Sequence, residues 1–109
     1  METYIEREDD QTKALARPDL PAVFAVITVA TWFDRTYGNS YFAGRVLNTV
    51  AGDSAPIPFQ YGHGRSAFAL AAQSVSEIDL TDDYGRPLAG VEIRECEVST
   101  MKACKAYAD

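Results

Sequence analysis

Histidine and cysteine are nearly missing from this 109-residue chain, which has one of the first and two of the second. A structural zinc site needs four closely spaced Cys or His ligands, so His63, Cys96 and Cys104 do not supply one. Two thiols eight positions apart do not make a disulfide framework either, and reduced cysteines are expected. The apolar stretch "PAVFAVITVATWF" is the longest, and threonines interrupt it. It is too short for a membrane helix, which takes about 20 apolar residues. A basic stretch followed by an apolar one is absent from the first residues, so no signal peptide is expected and the cytoplasm is the default location. Clustered lysines and arginines are also lacking, which argues against direct DNA binding. Paired catalytic groups cannot be recognised. His63 has no nucleophile at a telling spacing, and Ser66 reads as a helix cap. Asp79, Asp82 and Asp83 lack the spacing and closing glutamate of a calcium loop. The sequence therefore leads us to expect no catalytic residue, no metal and no cofactor.

The net charge of −6 is unevenly spread. Residues 1–10 hold Glu2, Glu6, Glu8, Asp9 and Asp10 against Arg7, a net of −4. The rest of the chain carries only −2. Residues 1–20 thus read as an acidic arm, with a short helix from Asp9 or Asp10 to Ala16 that Pro18 and Pro21 would close off. Residues 21–109 read as a single domain.

Val23 to Thr36 is rich in Val, Ile, Thr and aromatic residues and reads as a strand, apolar on both faces near its start. "WFDRTYGNSYF", residues 32–42, then suggests a hairpin, with Gly38-Asn39 as a two-residue loop of type II′. That loop would set Trp32 opposite Arg45, Asp34 opposite Ala43 and Thr36 opposite Tyr41. Opposed residues share a face. One face would show Trp32, Asp34, Thr36, Tyr41 and Arg45. The other would hold Val29, Thr31, Phe33, Phe42, Gly44 and Val46 as core. A third strand follows over residues 56–61, placed at an edge by Pro58.

Arg65 to about Asp79 has helical periodicity, with Ser66 as a plausible N-cap. Phe68, Ala71, Ala72, Val75 and Ile78 form the apolar stripe, and Gln73, Ser76 and Glu77 the solvent face. A last strand runs through "LAGVEIRECEVS", and Ser99 or Thr100 can cap a terminal helical turn. The expected class is α+β: an antiparallel β-meander, one main covering helix and a C-terminal strand (β-β-β-α-β), in two layers. The sheet face bearing Trp and Tyr would be solvated, covered by the acidic arm, or used by a partner.

Trp32, Tyr41 and Arg45 form the sharpest candidate site. An arginine beside aromatics can make a cation–π pair or hold a nucleotide by stacking and a phosphate contact. Ordinary cross-strand packing is the simpler explanation for the same three residues. Tyr37 flanks the turn, where it can meet a partner. In "FQYGHGR", Gly62, Gly64 and the start of the helix could receive a phosphate, with His63 and Arg65 beside it. This stretch is no Walker motif, since G-K-[ST] is absent.

The hairpin "WFDRTYGNSYF" followed by "FQYGHG" and a helix resembles a group of small bacteriophage and prophage accessory proteins. Those carry an aromatic pair, a Tyr/Asn-Gly-Asn-x-Tyr element and then aromatic-x-Tyr-Gly-x-Gly. The resemblance covers roughly residues 32–68. It implies a protein acting in the bacterial host cytoplasm that opposes host defence by binding a protein effector. Sequestration of a nucleotide signal by a homodimer or higher oligomer is the alternative it leaves open, and a phage structural or packaging role is the next.

Overall fold

The computed structural model describes residues 23–109. The helix expected within the acidic arm lies outside the described residues. Four strands and three helical segments follow in order: β1 (Ala25–Asp34), β2 (Asn39–Asn48), β3 (Ser54–Tyr61), α1 (Arg65–Val75), β4 (Val91–Glu97), α2 (Met101–Lys105) and a 3-10 turn (Ala106–Ala108). The strands form one sheet in the order β3-β2-β1-β4. The β1–β2 and β2–β3 pairs are antiparallel, whereas β4 runs parallel to β1. The α+β class and the β-β-β-α-β order agree with the sequence reading. Parallel pairing follows from α1, which crosses the sheet and returns the chain in the direction of β1.

The core lies between the sheet and α1. Ala25, Ile27 and Val29 of β1 and Phe42 and Val46 of β2 point to this side and are buried. Ile57, Leu80, Val91 and the helix residues Phe68, Ala71 and Ala72 complete the cluster. Small alanines let α1 approach the strands closely. Phe68 meets Phe42 edge-on, with ring centroids 4.9 Å apart. Each of these two buried rings contributes about 1.5–3 kcal/mol of hydrophobic stabilisation.

The hairpin differs from its expected form. Trp32 pairs with Tyr41, Asp34 with Asn39 and Thr28 with Arg45, so the loop is residues 35–38 and not Gly38-Asn39. The cause is local. Asp34 accepts the Thr36 amide on its side chain at 2.9 Å. Its carbonyl accepts the Gly38 amide at 2.7 Å. Gly38 closes the loop with φ of 71°, a value that favours glycine. Each residue's partner lies four positions from the expected one, as Trp32 shows in pairing with Tyr41 rather than Arg45. An even displacement preserves which side chains share a face, so the sorting of the two faces survives.

Phe33 is the exception among the expected core residues, being 49% exposed. The β1–β4 pairing ends at Thr31, so Phe33 is flanked on one side only. Helix α1 also begins differently. Gly64 is its N-cap and no side chain caps it, which leaves Ser66 inside the first turn. The helix stops at Val75 because Ser76 is extended. Gln73, expected on the solvent face, instead organises the next loop. Its Oε1 accepts the amides of Leu80 at 2.6 Å and Thr81 at 3.2 Å. Its Nε2 donates to the Ile78 carbonyl at 2.9 Å.

The second face of the sheet has a cover that sequence reading did not anticipate. Thr100 caps α2 by accepting the Ala103 amide at 3.1 Å. The segment then seats Cys104 against Ala30 and Ala43, all three fully buried. The Cys104 thiol donates to the Ala30 carbonyl at 3.3 Å. Two alanines side by side leave the shallow space into which a short helix fits.

Candidate functional site

Beside α2, the second face carries a row of half-buried aromatic rings, of which Trp32 and Phe59 pack against the Ala30–Ala43–Cys104 cluster. Directly opposed across the β1–β2 ladder, Trp32 and Tyr41 stack with centroids 5.6 Å apart. Tyr41 stacks in turn on Phe59, at 5.2 Å and nearly parallel. Tyr61 meets the edge of Tyr41 at 5.8 Å. Phe59 reaches this face because of an irregularity in β3. Phe42 pairs with Gln60 but Gly44 pairs with Ile57, so Pro58 and Phe59 together oppose Ala43. A bulge of this kind changes the alternation of the strand. It sends Ile57 into the core and Phe59 to the opposite face. The ammonium of Lys105 lies 5.1 Å from the Phe59 ring centroid, a cation–π geometry.

Arg45 is not part of this row. It stands opposite Thr28, two residue pairs beyond Ala30–Ala43. The expected contact with Trp32 depended on the shorter loop and is replaced by two hydrogen bonds. One guanidinium nitrogen donates to the Ala108 carbonyl at 3.0 Å and the other to the Ser54 hydroxyl at 3.1 Å. Arg45 therefore fastens the C-terminal turn to the sheet. Tyr107 fastens it on the other side, its hydroxyl 2.9 Å from the Cys96 sulfur. That hydrogen bond with Cys96 pushes the Tyr107 ionisation up. Burial likewise pushes the Cys104 thiol up.

Tyr37 projects from the hairpin loop and is 78% exposed. His63 and Arg65 are exposed near the start of α1. His63 sets its ring edge-to-face with Phe68, at 6.2 Å, so it belongs to the helix side of the sheet. The β3–α1 connection is tied to the hairpin end by the Gly62 amide, which donates to the Ser40 carbonyl at 2.9 Å. Of the six residues singled out from sequence, Trp32 and Tyr41 come together in one stack. Tyr37 stands beyond them at the same end of the sheet, His63 and Arg65 lie on the α1 side, and Arg45 has a structural task.

Sequence reasoning missed Phe59, Tyr61, Lys105, Phe33 and Arg35. "FQYG" held the signal for the first two, since a proline before it is a common mark of a bulge. Phe33 and Arg35 join Trp32, Glu97, Val98 and Ser99 around a groove of about 430 Å³. The groove separates the end of β1 from the β4–α2 connection. With Phe33 at 49%, Tyr61 at 69% and Tyr37 at 78% exposure, this end of the sheet presents large apolar groups to solvent. Arg35 supplies a cation and Glu97 an anion at its rim.

Among the described residues, no group of three or more His, Cys, Asp or Glu side chains is placed to hold a metal ion. No described helix is long and apolar enough to cross a membrane. No family model, curated protein or solved structure matches the chain.

Proposed function

We propose that the protein is a small non-enzymatic phage or mobile-element binding protein that antagonises a host defence system by docking on a protein effector. The aromatic end of the sheet is its contact surface. The observation that carries this reading is the exposure of Tyr37, Phe33 and Tyr61 around the Trp32–Tyr41–Phe59 stack. Tyr and Trp, with Arg, dominate the residues that carry binding energy at protein interfaces. A row already stacked loses little conformational freedom on binding. The resemblance of the hairpin to phage accessory proteins supplies the biological setting. The nucleotide alternative relied on Arg45, which is instead bonded to Ala108 and Ser54, so Arg35 at the groove rim is the arginine left to it.

Expression in bacteria carrying single, defined defence systems tests the proposal. In one of them, plating of a restricted phage should recover at least tenfold, and Tyr37→Ala combined with Tyr61→Ala should abolish the recovery. Both side chains are largely exposed and only Tyr61 gives up an aromatic contact, so the double variant should stay folded, as circular dichroism checks. Full recovery by that variant would remove the surface from consideration. Specific retention of a nucleotide, with no effector bound, would favour the alternative.

A further inference from the structure

The two outer strands of the sheet are finished differently. β3 carries Pro56 and Pro58, which have no amide to offer, and it is broken by the bulge. Prolines and bulges keep a strand edge from pairing. β4, Val-Glu-Ile-Arg-Glu-Cys-Glu, has neither. Among the described residues, its ladder with β1 fixes which backbone groups have no strand partner. The Val98 amide donates to the Thr31 carbonyl at 2.8 Å. Thr31 pairs with Glu97, so the even-numbered residues of β4 direct N–H and C=O toward β1. The odd-numbered ones, Val91, Ile93, Glu95 and Glu97, direct theirs outward. Of these, the Val91 amide is already bonded to the Leu88 carbonyl at 3.1 Å.

We propose that β4 pairs antiparallel with β4 of a second copy, about a two-fold axis at Ile93, and joins the two four-stranded sheets into one. Ile93 then exchanges both backbone bonds with the partner's Ile93. Each Glu95 amide reaches the carbonyl of the partner's Val91. The charges select this register. Outward-facing residues must meet outward-facing residues, so the axis can fall only on a residue and not between two. An axis at Glu92, Arg94 or Glu95 would place that residue against its own copy, with like charges opposed. An axis at Cys96 would set Glu95 against the partner's Glu97. Centred on Ile93, Glu92 faces the partner's Arg94 and Arg94 faces the partner's Glu92. These fall in the non-hydrogen-bonded positions, where opposed side chains come closest. Glu92 and Arg94 already touch within one chain, so the dimer closes a network of four charges. The contact is small, of the class that forms concentration-dependent complexes. It is independent of the aromatic surface.

Sedimentation velocity on the full chain, over a hundredfold range of concentration, should show a monomer passing to a dimer. Arg94→Glu should weaken the dimer at least tenfold, because it sets like charges opposite each other twice. Combining it with Glu92→Arg should restore association to within about threefold, since the two charges merely exchange places. Both side chains lie at the surface, and circular dichroism checks that each variant folds. Amide exchange on the unmodified protein gives a second test that needs no variant. Protection of Ile93 and Glu95 should rise with concentration while that of Arg94 and Cys96, bonded to β1, stays constant. A protein monomeric at the highest concentration would overturn the proposal. So would a dimer whose Ile93 amide exchanges freely, or a charge exchange that fails to restore pairing.

Discussion

The guanidinium of Arg45 donates to the carbonyl of Ala108, 63 residues further along the chain. This bond, with the one to Ser54, holds the C-terminal turn over the Ala30–Ala43 floor. Arg45→Ala should therefore loosen α2 without unfolding the sheet. A charged, partly exposed hydrogen bond of this kind contributes about 1 kcal/mol. Cys104 is the reporter, being the buried residue of α2. Its reaction with a thiol reagent should speed up about fivefold, the factor that corresponds to such a loss. Cys96 is already exposed, although hydrogen-bonded to Tyr107 of the same turn, so its rate should change less.

Gly44 has no room for a side chain. A Cβ built there would lie 1.9 Å from the Thr28 carbonyl oxygen and 2.8 Å from the Val29 Cα. Both are backbone atoms of the neighbouring strand, so relief requires moving β1 away from β2. Gly44→Ala should destabilise the fold by about 3 kcal/mol, at the upper end for overpacking. The check is chemical denaturation followed by Trp32 fluorescence, with a lower midpoint and an unchanged slope.

Gln73 answers for three backbone groups of the segment that follows α1. Gln73→Ala leaves the amides of Leu80 and Thr81 without that acceptor, at a cost of about 1–3 kcal/mol. Gln73→Glu keeps an acceptor for both amides and loses only the donor to Ile78, so it should cost less. Comparing the two melting temperatures at neutral pH tests the order.

Asp82 gives the turn before β4 its pH dependence. Its carboxylate accepts the amides of Arg86 and Tyr84, both at 2.9 Å, and the Arg86 side chain at 3.2 Å. The Arg86 amide, then the Tyr84 amide and the Arg86 charge, hold its pKa below the ordinary value of 3.8. A carboxyl with a lowered folded pKa stabilises the fold fully above its unfolded pKa. That contribution is lost as pH falls through the lowered value. A carbon-detected titration should place the Asp82 midpoint below 3.8. Protection of the Tyr84 and Arg86 amides should fall along the same curve, and Asp82→Asn should remove this pH dependence.

The alternating Val, Ile and Thr of β1 and the spacing of Phe68, Ala71 and Ala72 in α1 made the main elements legible in sequence. The hairpin loop was less so, because Asp34 competes with Gly38-Asn39 for control of the turn. A side-chain bond to the Thr36 amide decides the matter, and composition does not show it. The face of each residue survived the error because the displacement was even. Arg45 was misplaced for the same reason, since its neighbour depends on register while its face does not. Phe59 required the bulge at Pro58 to be recognised. The cover provided by α2 depended on a contact between Cys104 and Ala30 across the length of the domain. Ala30 and Ala43 face each other only in the observed register, so the expected one concealed the space α2 fills.

The parallel pairing of β4 with β1 also bears on synthesis. β1 holds the densest run of buried residues in the sheet, and its second neighbour begins only at residue 91. While the ribosome is still making residues 91–97, the β1 edge of the nascent β1–β2–β3 sheet lacks the strand that borders it among the described residues. Cys104 and its helix follow β4 and close the opposite side. Chains stalled before β4 would thus be adhesive intermediates, and the sheet described here becomes self-contained only once β4 and α2 are in place.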